Sequence, residues 1–319
     1  MMNRTKTKIA VIAAILVTAG FTGCGETLAE LEFNTSKTMV TGVANKDKKP
    51  TKAVIPEGVK VIGDSAFYDC DSLASVKIPS SVEEIGKKAF SRCSSLKSVT
   101  LPEGVKEIGE NAFENCRGLT SVTIPGSVEV FGKYAFSVCE SLASVTIGNG
   151  VTEIGYGAFG DCRSLTSVTI PDSVKILYGF SRTGLTSITI PNSVEKLSGF
   201  GGTALTSITI PGNVKEIGID DPNGAFSFCK SLESVEISEG VEKIGECAFL
   251  SCDILESVTI PSSVKVIDER AFDLCKRLKS VTFRGTKAQW EAIEKKHRYN
   301  SIGTFAVKCT DGEIPSQKW

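Results

Sequence analysis

Residues 119–141 read LTSVTIPGSVEVFGKYAFSVCES, and variants of this 23-residue unit fill most of the chain. A leucine opens each unit, and ten such positions recur along the sequence. They are Leu73, Leu96, Leu119, Leu142, Leu165, Leu185, Leu205, Leu232, Leu255 and Leu278. A fixed period between about 20 and 50 residues is the signature of a repeat protein, in which stacked units share one core.

Each unit contains a strand pattern followed by turns. Ser121–Ile124 alternates polar and β-branched apolar residues, which is typical of a strand with one buried face. Pro125 ends the strand because proline has no N–H to give to the ladder. Ala135–Cys139 has the spacing of one short helical turn. The sequence therefore predicts a β-rich α/β solenoid of about ten to eleven coils with short parallel strands and short helical turns.

The composition narrows the function class. Of 319 residues, 36 are basic and 37 acidic, and the net charge of -1 does not favour nucleic-acid binding. Histidine is the usual general base and the commonest metal ligand, and the chain contains a single one, His297. No HExxH motif, Walker loop or nucleophile elbow is present. We therefore predict a protein that is not an enzyme and that uses no cofactor and no metal.

The N-terminus has the pattern of a targeting segment. Three basic residues within residues 1–8 precede the mainly apolar run Ile9–Phe21. That run is too short for a transmembrane helix, which needs about 20 residues, and fits a secretory signal. Phe21–Cys24 resembles the bacterial lipobox, although Phe21 departs from its usual leucine, valine or isoleucine. We predict lipid attachment at Cys24; the alternative is an ordinary signal peptide in which this cysteine is incidental.

The predicted organisation has four parts. They are a lipoprotein signal peptide (1–24), a tether and N-terminal cap (25–50), the solenoid (51–283) and a C-terminal cap (284–319). In the last part, Thr286–His297 reads as an amphipathic helix with Thr286 as its N-cap and Trp290 and Ile293 on its apolar side. Ile302, Phe305 and Val307 complete this cap, and the chain end is expected to fray.

The repeat unit resembles a known family. Its form, Leu-Thr-Ser-Val-Thr-Ile-Pro followed by Val-x-x-Ile-Gly-x-x-Ala-Phe-x-x-Cys, is similar to the BspA-type leucine-rich repeat of bacterial surface antigens over residues 53–283. The stretch Phe283–Ile293 also resembles an ending common in that family. The resemblance implies a secreted or surface-attached protein that adheres to host proteins, host cells or other bacteria. With the lipobox, it implies a lipid-anchored protein of the bacterial cell envelope, on the outer membrane or cell surface.

Eight of the eleven cysteines fall in one column of the repeat. They are Cys70, Cys93, Cys116, Cys139, Cys162, Cys229, Cys252 and Cys275. We interpret them as buried thiols, because free cysteine packs as a small apolar side chain. Disulfides between adjacent coils remain an alternative, since a spacing of about 5 Å is compatible with bridging. A zinc site is disfavoured because a line of sulfurs is not tetrahedral. Cys247 and Cys309 lie outside the column.

Three units depart from the period. The units from Leu165 and from Leu185 have 20 residues each, and we expect both to lack the Ala-Phe-x-x-Cys turn while keeping the strand. Shortening one side is expected to change the local curvature. The unit from Leu205 has 27 residues and carries the insertion Ile219–Pro222. The following Asn-Gly makes this a polar turn rather than a calcium loop, because the oxygen ligands lack EF-hand spacing.

The outward strand positions form a candidate binding face of serine, threonine and, towards the C-terminus, glutamate. The face comprises Ser98, Thr100, Ser121, Thr123, Ser144, Thr146, Ser167, Thr169, Ser187, Thr189, Ser207, Thr209, Glu233, Glu236 and Glu256. Small side chains make a smooth platform for a host or bacterial surface protein or glycan. The structural alternative is that threonine simply favours sheets. Lys77 and Lys97 near the other end would make the face bipolar, unless these charges are only solvated decoration.

Three functions remain open at this point. An adhesin is favoured, a structural envelope or cell–cell scaffold protein is the alternative, and a solenoid glycosidase with paired carboxylates is a distant third. The chain is expected to be a monomer that contacts the membrane only through its lipid.

Overall fold

The computed structural model describes residues 26–218, 224–296 and 302–319. The predicted signal peptide, Cys24, the insertion at 219–222 and His297 lie outside these residues. In chain order the strands are β1 Leu31–Phe33, β2 Met39–Val43, β3 Lys52–Val54, β4 Val61–Ile62, β5 Ser75–Lys77, β6 Glu84–Ile85, β7 Ser98–Thr100, β8 Glu107–Ile108, β9 Ser121–Ile124, β10 Val130–Phe131, β11 Ser144–Ile147, β12 Glu153–Ile154, β13 Ile176–Leu177, β14 Lys196–Leu197, β15 Ser207–Ile210, β16 Glu216–Ile217, β17 Ser234–Ile237, β18 Lys243–Ile244, β19 Ser257–Ile260, β20 Val266–Ile267, β21 Ser280–Phe283, β22 Glu294–Lys295, β23 Thr304–Cys309 and β24 Gly312–Lys318. A 3-10 helix covers Lys46–Lys48, and α1 covers Lys287–Ala292.

Two parallel ladders run along the solenoid. The first, which we call the Ser/Thr face, contains β3, β5, β7, β9 and β11 and resumes with β15, β17, β19, β21 and β23. The second, the short-strand ladder, runs β2, β4, β6, β8 and β10 and, after a break, resumes with β12, β13, β14, β16, β18, β20 and β22. Consecutive coils pair in register, so that Ser121 lies opposite Ser144 and Ile124 opposite Ile147. The predicted leucine-rich-repeat solenoid with short parallel strands is thereby confirmed.

The core is a set of columns, each built from one repeat position. Leu119, Leu142 and Leu165 are all fully buried, as are the phenylalanines that follow the alanine or glycine position of each turn. Ten of these rings form one stack, in which successive ring centroids are 4.8 to 5.7 Å apart. They are Phe67, Phe90, Phe113, Phe136, Phe159, Phe180, Phe200, Phe226, Phe249 and Phe272. Each coil therefore buries its apolar side chains against the next coil rather than within itself.

The turn side of each coil contains tight turns where a short helical turn was expected. In the unit from Leu119, Ala135 N donates to Gly132 O at 3.3 Å, but Phe136 N donates to Ala158 O of the next coil at 2.7 Å. Tyr134 and Val138 adopt left-handed backbone angles, with φ of 56° and 59°. Along this turn, one backbone N–H closes a local turn and the next donates to the neighbouring coil, in alternation. A helix would have used all of them inside one coil.

The coils approach closely beside these turns. A Cβ added to Gly132 would lie 2.5 Å from the carbonyl carbon of Gly109 in the preceding coil. Glycine is therefore required at this point by the contact between the two backbones.

Both ends of the solenoid are covered. At the N-terminus β1 and β2 form an antiparallel hairpin, and β2 pairs in parallel with β4. At the C-terminus Thr286 caps α1, with a reciprocal capping box to Gln289. The helix predicted to reach His297 ends at Ala292, after which β22 joins the short-strand ladder beside β20.

The predicted fraying of the chain end is wrong. β24 pairs antiparallel with β23, and Trp319 packs edge-on against the fully buried Trp290, with ring centroids 5.4 Å apart. The final tryptophan thus helps to shield the apolar end of the last coil. Within the residues that the structure describes, no helix has the length and apolar character needed to cross a membrane.

Candidate functional site

The Ser/Thr face lies on the solvent side of its ladder. The structure places fourteen of the fifteen predicted binding-face residues in exposed positions, and Glu236 is half-buried. Their neighbours in sequence, such as Val122 and Ile124, point into the core. From Ser98 to Thr209 the serine and threonine columns contain no charged side chain. The result is a strip of hydroxyl groups with low relief.

Arginines compensate the acidic end of this face. Arg284 Nη2 lies 2.5 Å from Glu236 Oε1, and Arg277 Nη1 lies 3.1 Å from Glu256 Oε1. Each partner lies at least 21 residues further along the chain, so the strand pattern of one unit did not reveal it. Among the described residues, Glu233 has no ion-pair partner. The face is consequently less bipolar than the glutamates alone suggested.

The two short coils keep the column that the sequence suggested they had lost. Thr183 and Thr203 occupy the cysteine position, are buried, and donate their hydroxyls to Phe180 O and Phe200 O at 2.8 Å. Thr203 Oγ1 also lies 3.2 Å from Cys229 Sγ. The shortening therefore removes residues around this turn, not the turn itself. The Phe-x-x-Thr spacing was the signal available in the sequence.

All of the column cysteines are free thiols in the structure. Each sulfur from Cys93 onward donates to the phenylalanine carbonyl of the preceding coil; Cys116 Sγ, for example, lies 3.2 Å from Phe90 O. Burial raises the pKa of the Cys116 thiol to about 12. A neutral buried thiol is a poor nucleophile and a poor metal ligand. The described residues contain no cluster of three or more histidine, cysteine, aspartate or glutamate side chains arranged to hold a metal ion.

Charges of alternating sign line the back of the solenoid, just before the short-strand ladder. The column reads Lys60, Glu83, Lys106, Glu129, Thr152, Lys175, Glu195, Lys215, Glu242 and Lys265. Some neighbours lie within ion-pair distance: Lys60 Nζ lies 2.6 Å from Glu83 Oε1, and Lys265 Nζ lies 2.6 Å from Glu242 Oε2. Opposite charges thus alternate along the back, whereas the strip from Ser98 to Thr209 on the Ser/Thr face carries no charge.

Two of the surface grooves lie near the features described above. One, of about 530 Å³, lies between the last coil and the C-terminal cap and is lined by residues such as Leu274, Lys276 and Ser316. The other, of about 290 Å³, lies on the Ser/Thr face and is lined by residues such as Ile188, Thr189 and Thr209. Only the second groove belongs to the candidate binding face.

Solved structures of bacterial proteins were compared with this chain. A leucine-rich repeat protein from Bacteroides ovatus is similar, with 24% identity, a TM-score of 0.53, and coverage of 90% of this chain and 97% of that chain. The T. pallidum leucine-rich repeat protein TpLRR has 27% identity and a TM-score of 0.43, covering 78% and 87%. The pneumococcal vaccine antigen PcpA has 18% identity and a TM-score of 0.41, covering 81% and 68%. The first of these likenesses supports the shared fold. No curated protein sequence matches the chain.

The family comparison extends over most of the solenoid. The profile of the BspA type leucine rich repeat region matches six copies, at residues 60–179 and 198–301. These ranges cover well over half of the 319 residues. The chain therefore belongs to the BspA-type leucine-rich-repeat family.

Proposed function

We propose that this protein is a lipid-anchored, non-enzymatic binding protein of the bacterial surface, and that its Ser/Thr face contacts a protein or glycan partner. The observation that carries this proposal is the uncharged, exposed hydroxyl strip from Ser98 to Thr209, whose first three coils pair in register through β7, β9 and β11. Family membership supports a role as a binding scaffold.

The physical properties of the strip suit recognition. Serine and threonine side chains are short, so a partner approaches the sheet closely and little rotamer freedom is lost on binding. Hydroxyls both donate and accept hydrogen bonds, which allows them to meet protein or sugar groups. Several charged side chains on the back of the solenoid already pair with each other, for example Lys60 with Glu83. The Ser/Thr face is therefore the better docking surface.

Anchoring is tested through Cys24. Changing Cys24→Ser is expected to release the protein from the membrane fraction, because lipid chains contribute about 0.8 kcal/mol for each buried methylene. The measurement is fractionation of cells with immunoblotting, together with protease treatment of intact cells. Wild-type protein should stay with the envelope and be removed by the protease. Envelope retention of the variant would contradict lipidation, and full protease resistance in a validated assay would contradict surface exposure.

The binding face is tested with a matched pair in one coil. Thr146 lies on the Ser/Thr face and Thr152 on the back, and both are exposed. Thr146→Arg is expected to weaken attachment to immobilised host matrix proteins or arrayed glycans about tenfold or more, because the interface would bury an unpaired charge. Thr152→Arg adds the same charge and should bind like wild type.

Equal losses for both variants would argue against this face. If neither array retains the wild-type protein but its removal alters envelope integrity or cell–cell aggregation, the structural role becomes the better description. Turnover of an arrayed glycan would revive the glycosidase hypothesis.

A further inference from the structure

The Ser/Thr ladder is interrupted at the two short coils. β11 pairs with β9, and β15 pairs with β17, but residues 167–170 and 187–190 between them belong to no ladder pair. We call these two segments the strand gap. On this face, the short coils are joined to each other and to the coil of β15 by backbone hydrogen bonds only just before each strand position. There Thr186 N donates to Thr166 O at 3.5 Å, and Thr206 N donates to Thr186 O at 3.2 Å. No backbone N–H within the strand gap donates to another backbone group.

At the two short coils themselves, only this face loses its ladder pairing; the short-strand ladder has a break one coil earlier, between β10 and β12. The short-strand ladder continues without a break through β12, β13, β14 and β16. On the turn side, Phe180 N donates to Gly199 O at 2.9 Å, and the phenylalanine stack is unbroken there. A coil three residues shorter cannot keep every side in register with its longer neighbours. At the two short coils, the register is lost on the Ser/Thr face, where the ladder hydrogen bonds are missing.

Apolar side chains become accessible at the opening. Val168 and Ile188 are half-buried, whereas their counterparts Val122 and Ile208 are only 4% and 3% exposed. The groove of about 290 Å³ lies at this point, and every residue that lines it is uncharged. The strand gap thus combines free backbone donors and acceptors, accessible apolar side chains and neutral walls.

We propose that the strand gap binds an extended segment of a partner polypeptide through main-chain hydrogen bonds. Donors and acceptors alternate along an extended chain with a rise of about 3.3 Å per residue, and another extended chain presents the complementary repeat. A sugar chain does not repeat with that spacing. The neutral lining favours peptide side chains that are small or apolar and uncharged. This inference rests on the proposed function and narrows its partner to a polypeptide.

The free protein provides the first test. Native-state hydrogen exchange should be faster at the amides of residues 168–170 and 188–190 than at the equivalent amides of residues 122–124, which lie in a paired strand. Equal protection would mean that the ladder is closed in solution and would overturn the proposal.

A linear random-peptide display library, panned on the full-length protein, provides the second test. We expect enriched peptides whose binding protects the amides of the strand gap from exchange. N-methylation of alternate peptide amides should reduce affinity about tenfold or more, through loss of main-chain hydrogen bonds. Thr189→Arg should reduce it similarly, while Thr152→Arg on the back should leave it unchanged. Absence of enrichment, or indifference to N-methylation, would overturn the proposal.

The two proposals fail separately. If Thr146→Arg abolishes attachment to arrayed partners while no peptide selects the strand gap, the binding face stands and the peptide site falls. If peptides bind the strand gap but Thr146→Arg has no effect, the peptide site stands and the wider face is not the contact surface.

Discussion

Phe136→Ala is expected to lower the free energy of unfolding by about 3 to 5 kcal/mol, the range found when a buried phenylalanine is truncated. Phe136 is fully buried, and its ring lies between Phe113 at 4.9 Å and Phe159 at 5.7 Å. Neighbouring coils are held in place by their own strands, so they cannot collapse into the cavity. The loss therefore includes both the buried apolar area and the cavity.

The matched control is Phe228→Ala. Phe228 belongs to the same kind of turn but is 51% exposed, so its truncation should change stability by less than about 1 kcal/mol. Urea denaturation followed by near-ultraviolet circular dichroism measures both variants.

Because the core of each coil packs only against its immediate neighbours, a weakened central coil can also split the unfolding transition into two steps. Similar small losses for Phe136→Ala and Phe228→Ala would contradict the shared phenylalanine stack.

Alkaline pH is expected to destabilise the protein through its buried thiols. Burial raises the pKa of Cys116 to about 12, whereas its ordinary value is 9.0. Since the folded-state pKa is the higher one, this thiol's contribution is complete below pH 9 and disappears as pH rises through about 12. The slope is about 1.4 kcal/mol per pH unit, and the full loss is about 4 kcal/mol for this one group.

Removing the thiol should remove that part of the pH dependence. For Cys116→Ala, the fall in unfolding free energy above pH 9 should be shallower by about 1.4 kcal/mol per pH unit than for wild type. The cavity left by the substitution lowers the unfolding free energy equally at every pH, so it does not affect the comparison of the two pH slopes. Cys309→Ala serves as the control, because its half-buried thiol lies in the cap and should change the slope less. Identical slopes for wild type and Cys116→Ala would show that ionisation of this thiol is not linked to folding.

The regular part of the fold was predictable because every unit repeats the same pattern of buried and exposed residues. The alternation in Ser121–Ile124, the proline after it and the recurring leucine and phenylalanine each fix which side chains enter the core. Stacking then follows, since one unit alone buries too little apolar surface. The exposure of Thr123 and Thr146 was available from the same alternation.

The turns were harder to predict for a local reason. Ala135–Cys139 has helical spacing, and the left-handed positions beside it hold ordinary residues such as Tyr134 and Val138 rather than glycine. No composition signal therefore separated a tight turn from a helical one. What decides the conformation is the hydrogen bond to the next coil, from Phe136 N to Ala158 O, which is not local.

The strand gap and the last strand were missed because both depend on neighbours. The 20-residue spacing showed that two coils are short, but which face opens depends on which sides keep their hydrogen bonds. β24 contains Pro315 and few apolar residues, so it lacks a strand pattern; its pairing with β23 and the packing of Trp319 determine its conformation.

The alternating charges behind the solenoid constrain how its gene can change length. Unequal recombination that removed one coil between Lys60 and Glu129 would bring two lysines or two glutamates side by side, whereas loss or gain of a pair of coils preserves opposite neighbours. The alternation slips once, at the neutral Thr152, beside the short coils. We expect natural length variants to differ by even numbers of coils on either side of that slip, with odd changes confined to it.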